Sequence, residues 1–193
     1  MPTDLALVFD VNVWVDAAVY VNEARGLPSV AGHGDHDPYL SAALCFTFFT
    51  KITTPKLALF SDDLIFQVAH LKLIQPLDAE RPEDRGLGWE SLTATSRLDI
   101  LTKHADDTER SFKVNPPANQ GSLGMDYEDR RVFGLLEYAA TCFPEMLPIM
   151  VTNDRKFANE INTAAAAMRR TGMPKWGAMS PTRFVASFTK HGQ

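Results

Sequence analysis

The amino-acid sequence predicts an α/β domain, a three-layer α/β/α sandwich built on a central, mostly parallel sheet. Two observations carry this expectation. Short apolar runs such as Leu5–Phe9 and Leu147–Thr152 lack the alternation of a half-solvated strand and stop abruptly at polar residues, as strands buried on both faces do. Segments whose apolar residues recur at helical spacing separate these runs, and strands alternating with helices imply a parallel sheet. At 193 residues, 45% hydrophobic and 22% charged, the chain suits a single domain over residues 1–193 with one core. A core of that size needs neither disulfides nor a structural metal.

The elements follow in order. Leu5–Phe9 is the first strand and ends at Asp10; the apolar Val11–Val21 starts a helix. Asn22–Pro38, with Gly26, Pro28, Gly32, Gly34 and Pro38, reads as a loop insertion. A helix is expected over Pro38–Lys51, where Tyr39, Ala42, Ala43, Phe46 and Phe49 share a helical stripe. Leu57–Phe60 is a short strand, and Ser61 is the expected N-cap of a helix from Asp62 to Ile74 with acids in its first turn. Gln75–Arg85 is a Pro- and charge-rich connection, and Trp89–Lys103 returns to helical spacing through Trp89, Leu92, Leu98 and Leu101. Phe112–Val114 is an expected strand and Asn115–Gly124 an irregular loop. Asp126–Ala140 is the clearest helix, with acids at its start and Val132, Phe133, Leu135, Leu136 and Ala139 behind them. The strand Leu147–Thr152 ends in Asn153 and Asp154; a helix containing Ala164–Ala167 follows and breaks over Gly172–Gly177. Ser180 caps a last short helix with Pro181 at its first position.

Composition narrows the function classes. No uncharged stretch approaches the roughly 20 apolar residues that span a bilayer, so no membrane role is expected. Cys45 and Cys142 are too few for a disulfide framework, and no basic, apolar leader opens the chain; a reduced, cytoplasmic protein is the expectation. The net charge of −5 hides an asymmetry, because after Asp154 the cations Arg155, Lys156, Arg169, Arg170, Lys175, Arg183 and Lys190 face only Glu160. Such a segment either meets a polyanion or forms a solvated, helix-rich tail.

Acids gather at element boundaries. VFDVN holds Asp10 and Asn12, DYEDRRV holds Asp126, Glu128 and Asp129, and VTND holds Thr152 and Asp154. Ligands of parallel α/β sheets bind at the carboxyl ends of the strands, where Asp10 and Asp154 fall. Each acid alone also reads as a helix N-cap. Aspartates converging on one crevice repel one another unless a cation compensates, and oxygen donors without Cys or His favour Mg²⁺ or Mn²⁺. HGDHDP, with His33, Asp35, His36 and Asp37, has ligand-type residues in a Gly-rich setting that reads as a surface loop. No glycine-rich phosphate loop or serine-nucleophile elbow is present.

Taken together, these segments resemble PIN-domain nucleases. VFDVNVWVDA is similar to the first strand of that family, DYEDRRVFGLLEYA to its later acidic helix start, PIMVTNDRKF to its Thr-x-Asp strand end, and MSPTRFVASF to its closing Pro-containing segment. The resemblance covers both ends of the chain in the family's order. It implies a Mg²⁺- or Mn²⁺-dependent ribonuclease, of the kind that serves as the toxin of a toxin–antitoxin pair. Asp10, Asp129 and Asp154 would be its catalytic, metal-binding acids, with Asn12 and Thr152 in support. Asp129 is preferred to Asp126 because Val132 follows it where the family helix turns inward; Asp126 is an outer or alternative ligand.

PIN nucleases commonly carry a glutamate in the helix after the second strand. Gln67 stands there in this chain, an amide without charge, and Asp63 one turn earlier is the substitute. The implied partners are an RNA substrate, a protein antitoxin and a second copy in a homodimer; Arg130, Arg131, Arg155 and Lys156, which flank the acids, read either as contacts to RNA phosphates or as solvated helix-flank charges. Tyr39, Phe46, Phe48 and Phe49 offer material for an antitoxin groove, although a stripe at helical spacing reads first as core. Two further readings stay open. Gln67 motivates a non-catalytic PIN-like module that binds RNA or protein. VFDVN also resembles the start of haloacid-dehalogenase-type phosphatases, with Asn12 where that family has its second aspartate.

Overall fold

The computed structural model describes residues 4–21, 26–29, 37–75, 87–115, 125–169 and 176–189. Most of the expected loops, including His33, Asp35 and His36, lie outside these residues. The architecture is α/β, with a five-stranded, wholly parallel sheet in the order β3-β2-β1-β4-β5. Its strands are β1 (Leu5–Phe9), β2 (Leu57–Ser61), β3 (Ser111–Lys113), β4 (Leu147–Val151) and β5 (Gly177–Met179). The described helices are α1 (Val11–Tyr20), α2 (Pro38–Lys51), α3 (Asp63–Ile74), α4 (Ser91–Asp106), α5 (Tyr127–Cys142), α6 (Arg155–Arg169) and α7 (Pro181–Thr189).

The chain builds β1, β2 and β3 outward in one direction, then crosses back to place β4 and β5 on the other side of β1. Crossovers between parallel strands are right-handed, so α1–α4 cover one face, and α5 and α6, joining strands laid in the opposite direction, cover the other. The contacts agree: α5 packs on β4, β1 and β2, α6 on β5, while α1, α2, α3 and α4 pack among themselves and α7 returns to α2. The reversal of direction leaves a crevice between the carboxyl ends of β1 and β4, the switch point where such sheets bind ligands.

Apolar burial explains why these segments fold as they do. β1 is paired on both sides, Leu7 opposite Leu59 and Ile149, which requires the continuous apolar run that the sequence supplies. On the α1–α4 face an aromatic cluster forms the core: Trp14 and Phe9 meet Phe46 edge to face, and Phe184 extends the contact to Phe9 and Phe188. Phe46, Phe48 and Phe49 are all buried there, Phe48 stacking on Phe188. These three are core residues, and Tyr39 alone of that set is exposed.

Two arginines that sequence patterning does not mark finish helix ends on this face. Arg97 donates to the carbonyls of Ala18 and Val19 in the last turn of α1 and of Val21 after it, and Arg110 to those of Phe49 and Ile52 at the end of α2. Both satisfy carbonyls that a helix terminus leaves unpaired and place a cation at the negative dipole end.

Several boundaries differ from expectation. Ser61 is the last residue of β2, and Asp62 caps α3, its Oδ1 accepting from Leu64 N at 2.6 Å. Trp89 precedes α4, stacked under Arg97, and Leu92 is 81% exposed, because the buried stripe of α4 runs through Ala94, Leu98, Leu101 and Ala105. Of the two cysteines, Cys45 is buried and Cys142 exposed. β5 has no counterpart in the sequence reading. Its three residues carry no β-branched side chain, and the strand is held by β4 on one side and by Asn162 of α6, whose amide accepts from Ala178 N at 2.9 Å and donates to Ala178 O at 3.0 Å. Asn162 thereby occupies hydrogen-bonding positions that a further strand would use. A Cβ at Gly177 would lie 3.3 Å from Asn162 Oδ1, so the close approach favours glycine. No described helix is long and apolar enough to cross a membrane.

Candidate functional site

Asp10 stands at the carboxyl end of β1, at the base of the switch-point crevice, and is 2% exposed. Its Oδ1 accepts from Val11 N at 2.7 Å, which caps α1. Its Oδ2 accepts from Thr152 Oγ1 at 2.6 Å and from Asn12 Nδ2 at 3.3 Å. Thr152 is buried at the end of β4, and its hydroxyl oxygen also accepts from Asp154 N at 3.0 Å. One hydroxyl thus ties the ends of both central strands together. Asn12 and Thr152, expected beside Asp10, both donate to the same carboxylate oxygen.

The other two acids differ in their duties. Asp154 is exposed, and its Oδ1 accepts from Phe157 N at 2.9 Å, an N-cap for α6. Asp129 lies in the first turn of α5, half-buried, and the cap of that helix is the exposed Asp126, whose Oδ1 accepts from Asp129 N at 2.9 Å. Asp129 therefore keeps its carboxylate clear of capping. Asn153, beside Asp154, donates to Asp16 of α1, a contact that no sequence signal marked.

Electrostatics show that these acids share one neighbourhood. Burial pushes the Asp10 carboxyl up to about 6, against the opposing pull of the Thr152 hydroxyl and the Lys72 charge, with Glu128 pushing the same way as burial. Asp129 rises to about 7, first from burial and then from Asp126, Asp10, Glu128 and Asp154. Four carboxylates from three segments thus raise a fifth. Burial also raises Asp16, countered by its Asn153 hydrogen bond and reinforced by Asp37.

The remaining expected residues fall elsewhere. Gln67 is exposed and lines a groove of about 600 Å³ between α3 and α4 with Phe66, His70, Leu98, Asp99 and Lys113. Asp63 is exposed and paired with Lys113 at 2.8 Å, so neither residue supplies an acid from α3 to the crevice. Arg131 is not an RNA-facing cation: its guanidinium pairs with Asp62 and with Asn115 Oδ1, locking α5 to the start of α3. Arg130 Nε donates to the Asp126 carbonyl. Arg155 and Lys156 are exposed beside Asp154, Lys156 loosely paired with Glu160 at 4.0 Å. The residue of α3 that does reach the acids is Lys72, whose ammonium lies 2.8 Å from Glu128 Oε1.

Asp10, Asp129 and Asp154 form an oxygen-only donor set of the kind that Mg²⁺ and Mn²⁺ take. The upward displacement of Asp10 and Asp129 is what acids show when a compensating cation is lacking. Among the described residues, no three His, Cys, Asp or Glu side chains are placed to hold an ion as they stand. The fit is therefore one of donor chemistry and charge alone. No protein-family model, curated protein or solved structure matches the chain.

Proposed function

We propose that the chain is a divalent-metal-dependent ribonuclease in which Asp10, Asp129 and Asp154 hold Mg²⁺ or Mn²⁺. The observation that carries this reading is the buried Asp10 at the switch point, hydrogen-bonded only to neutral donors, with Asp129 in the first turn of α5 raised toward neutrality by burial and by its acidic neighbours. The ordered resemblance to PIN-domain nucleases supports the choice of RNA, and of a toxin held in check by a protein antitoxin, over other phosphodiesters and settings.

The residues divide the work. Asp10 is fixed by Val11 N and Thr152 Oγ1 and offers a rigid, buried carboxylate at the base of the crevice. Asp129, free of capping, is the acid able to turn toward a ligand and to take up a proton near neutral pH. Asp154 keeps one oxygen on Phe157 N and has the other for the crevice rim. Arg155 and Lys156, exposed beside it, are placed to meet phosphates of a bound strand. A bound divalent ion would supply Lewis-acid stabilisation of the phosphodiester and a water acidic enough to attack it in line, leaving a 5′-phosphate and a 3′-hydroxyl.

The test is cleavage of a fluorophore-quencher RNA by wild type, Asp10→Asn and Asp129→Asn, with and without EDTA. Cleavage that requires Mn²⁺ or Mg²⁺ and is lost in both variants supports the reading. Cleavage that survives EDTA or both substitutions overturns it.

A further inference from the structure

α4 turns one face inward and leaves the opposite one open among the described residues. Its inner face is the stripe Ala94, Leu98, Leu101 and Ala105. At about 100° per residue, Leu92, Asp99 and Lys103 fall within about 40° of one another on the far side, and all three are exposed. Leu92 is 81% exposed at the start of this stripe, and Leu71, on the α3 wall of the neighbouring groove, is 50% exposed. That groove of about 600 Å³ runs into a second hollow of about 420 Å³ along α4, with Thr95 and Asp99 lining both. The two hollows and the two leucines form one surface.

The charges on this surface select its occupant. Asp99 and Lys103 stand one turn apart, both outside the ion pairs of the described residues. Lys113, also in the groove, is already paired with Asp63. The surface is therefore balanced in charge on a chain of net charge −5, so that two copies meet here with little repulsion. Residues 99 and 103 are also equidistant from 101. A two-fold axis at that level sets a second α4 antiparallel to the first, with Asp99 of each copy opposite Lys103 of the other, a pattern that is its own complement. We propose that this face pairs two copies of the chain as a two-fold dimer, with Leu71 and Leu92 supplying the apolar contact and Asp99 and Lys103 the register. The inference is independent of the metal reading of the crevice. The α4 seam from Leu92 to Lys103 is only about 16 Å long, so the dimer forms reversibly with concentration.

Sedimentation velocity of the full chain in EDTA, from about 1 µM to about 1 mM, tests this over the span of weak specific interfaces. Wild type should pass from monomer to dimer within that span. Leu92→Asp should stay monomeric, with a urea melt like that of wild type because the side chain is exposed; if it does not fold, the charge variants decide. Asp99→Lys and Lys103→Asp should each dimerise about tenfold more weakly alone, since each reversal turns two attractive pairs into two repulsive ones. An equimolar mixture of these two variants should dimerise at least as well as wild type, because each copy then meets its opposite charges. Monomeric wild type throughout the span overturns the proposal. So does a dimer that Leu92→Asp leaves intact, or a mixture that associates no better than its separate components.

Discussion

Asp62 and Asp10 occupy equivalent places in neighbouring strands and are resolved in opposite ways. Each follows a central parallel strand, each caps the next helix, and they are 3% and 2% exposed. Asp62 is neutralised by the Arg131 guanidinium, which also bonds Asn115. Asp10 is bonded only to neutral donors, from Val11, Asn12 and Thr152, and its carboxyl is raised to about 6. Burying a carboxylate is costly unless it is paired. The difference teaches that the fold can supply an internal cation at a strand end when the acid is structural, and that at the switch point it withholds one from direct contact.

Breaking the structural pair should have the larger effect. Arg131→Ala leaves Asp62 buried without its cation and should destabilise the protein by about 3 kcal/mol in urea melts. Arg131→Lys should recover only part of this, because one ammonium cannot reproduce a fork shared between Asp62 and Asn115. A loss under about 1 kcal/mol in Arg131→Ala would mean that the two aspartates are not held differently.

Asp10→Asn should do the reverse. Removing an uncompensated charge should stabilise the metal-free protein at pH 8 by about 1–2 kcal/mol. The sign with pH follows from the raised carboxyl. The native state binds the proton more tightly than the unfolded chain, whose reference value is 3.8, so the contribution to stability is full below about 4 and is lost as pH rises through about 6. In EDTA, the stability of wild type relative to Asp10→Asn should therefore fall by roughly 2 kcal/mol between pH 4 and pH 8. Asp129, present in both proteins, gives each a change of the same sign nearer pH 7, smaller because it is half-exposed, and this largely cancels in the difference. A flat difference between the two proteins would contradict the contrast drawn between Asp10 and Asp62.

The smallest effect belongs to Gln67→Glu. The resemblance makes this the substitution that restores a missing ligand, whereas the structure turns the side chain into the α3/α4 groove. The Mn²⁺-induced shift in melting temperature should be unchanged within error. A larger shift would show that α3 is rotated in solution relative to the structure described.

These contrasts follow the limits of what the sequence discloses. The strands β1 and β4 and the helix α2 were legible almost to the residue, and α7 at its start, because an apolar run stopped by polar residues, a stripe at helical spacing and Pro181 after Ser180 are local signals. Asp10, Asn12 and Thr152 were legible as a group because two strand ends carry them. β5 was not, since its stability comes from β4 and from Asn162, fifteen and more residues earlier in the chain. Arg131 looked like a free surface cation because nothing adjacent in sequence announces Asp62 as its partner. Lys72 could have been found. The buried Ile65, Ala69 and Leu73 define the inner stripe of α3, and at about 100° per residue Lys72 falls beside that stripe and Gln67 opposite it. Family register misled where hydrophobic register would not have.

The most direct measurement is an anomalous difference map from crystals of the protein soaked in Mn²⁺ at pH 7.5. The account predicts a peak in the crevice between the carboxyl ends of β1 and β4, bounded by Asp10, Asp129 and Asp154, and its loss in crystals of Asp10→Asn. A map without that peak, or with Mn²⁺ bound only outside the crevice, would contradict it.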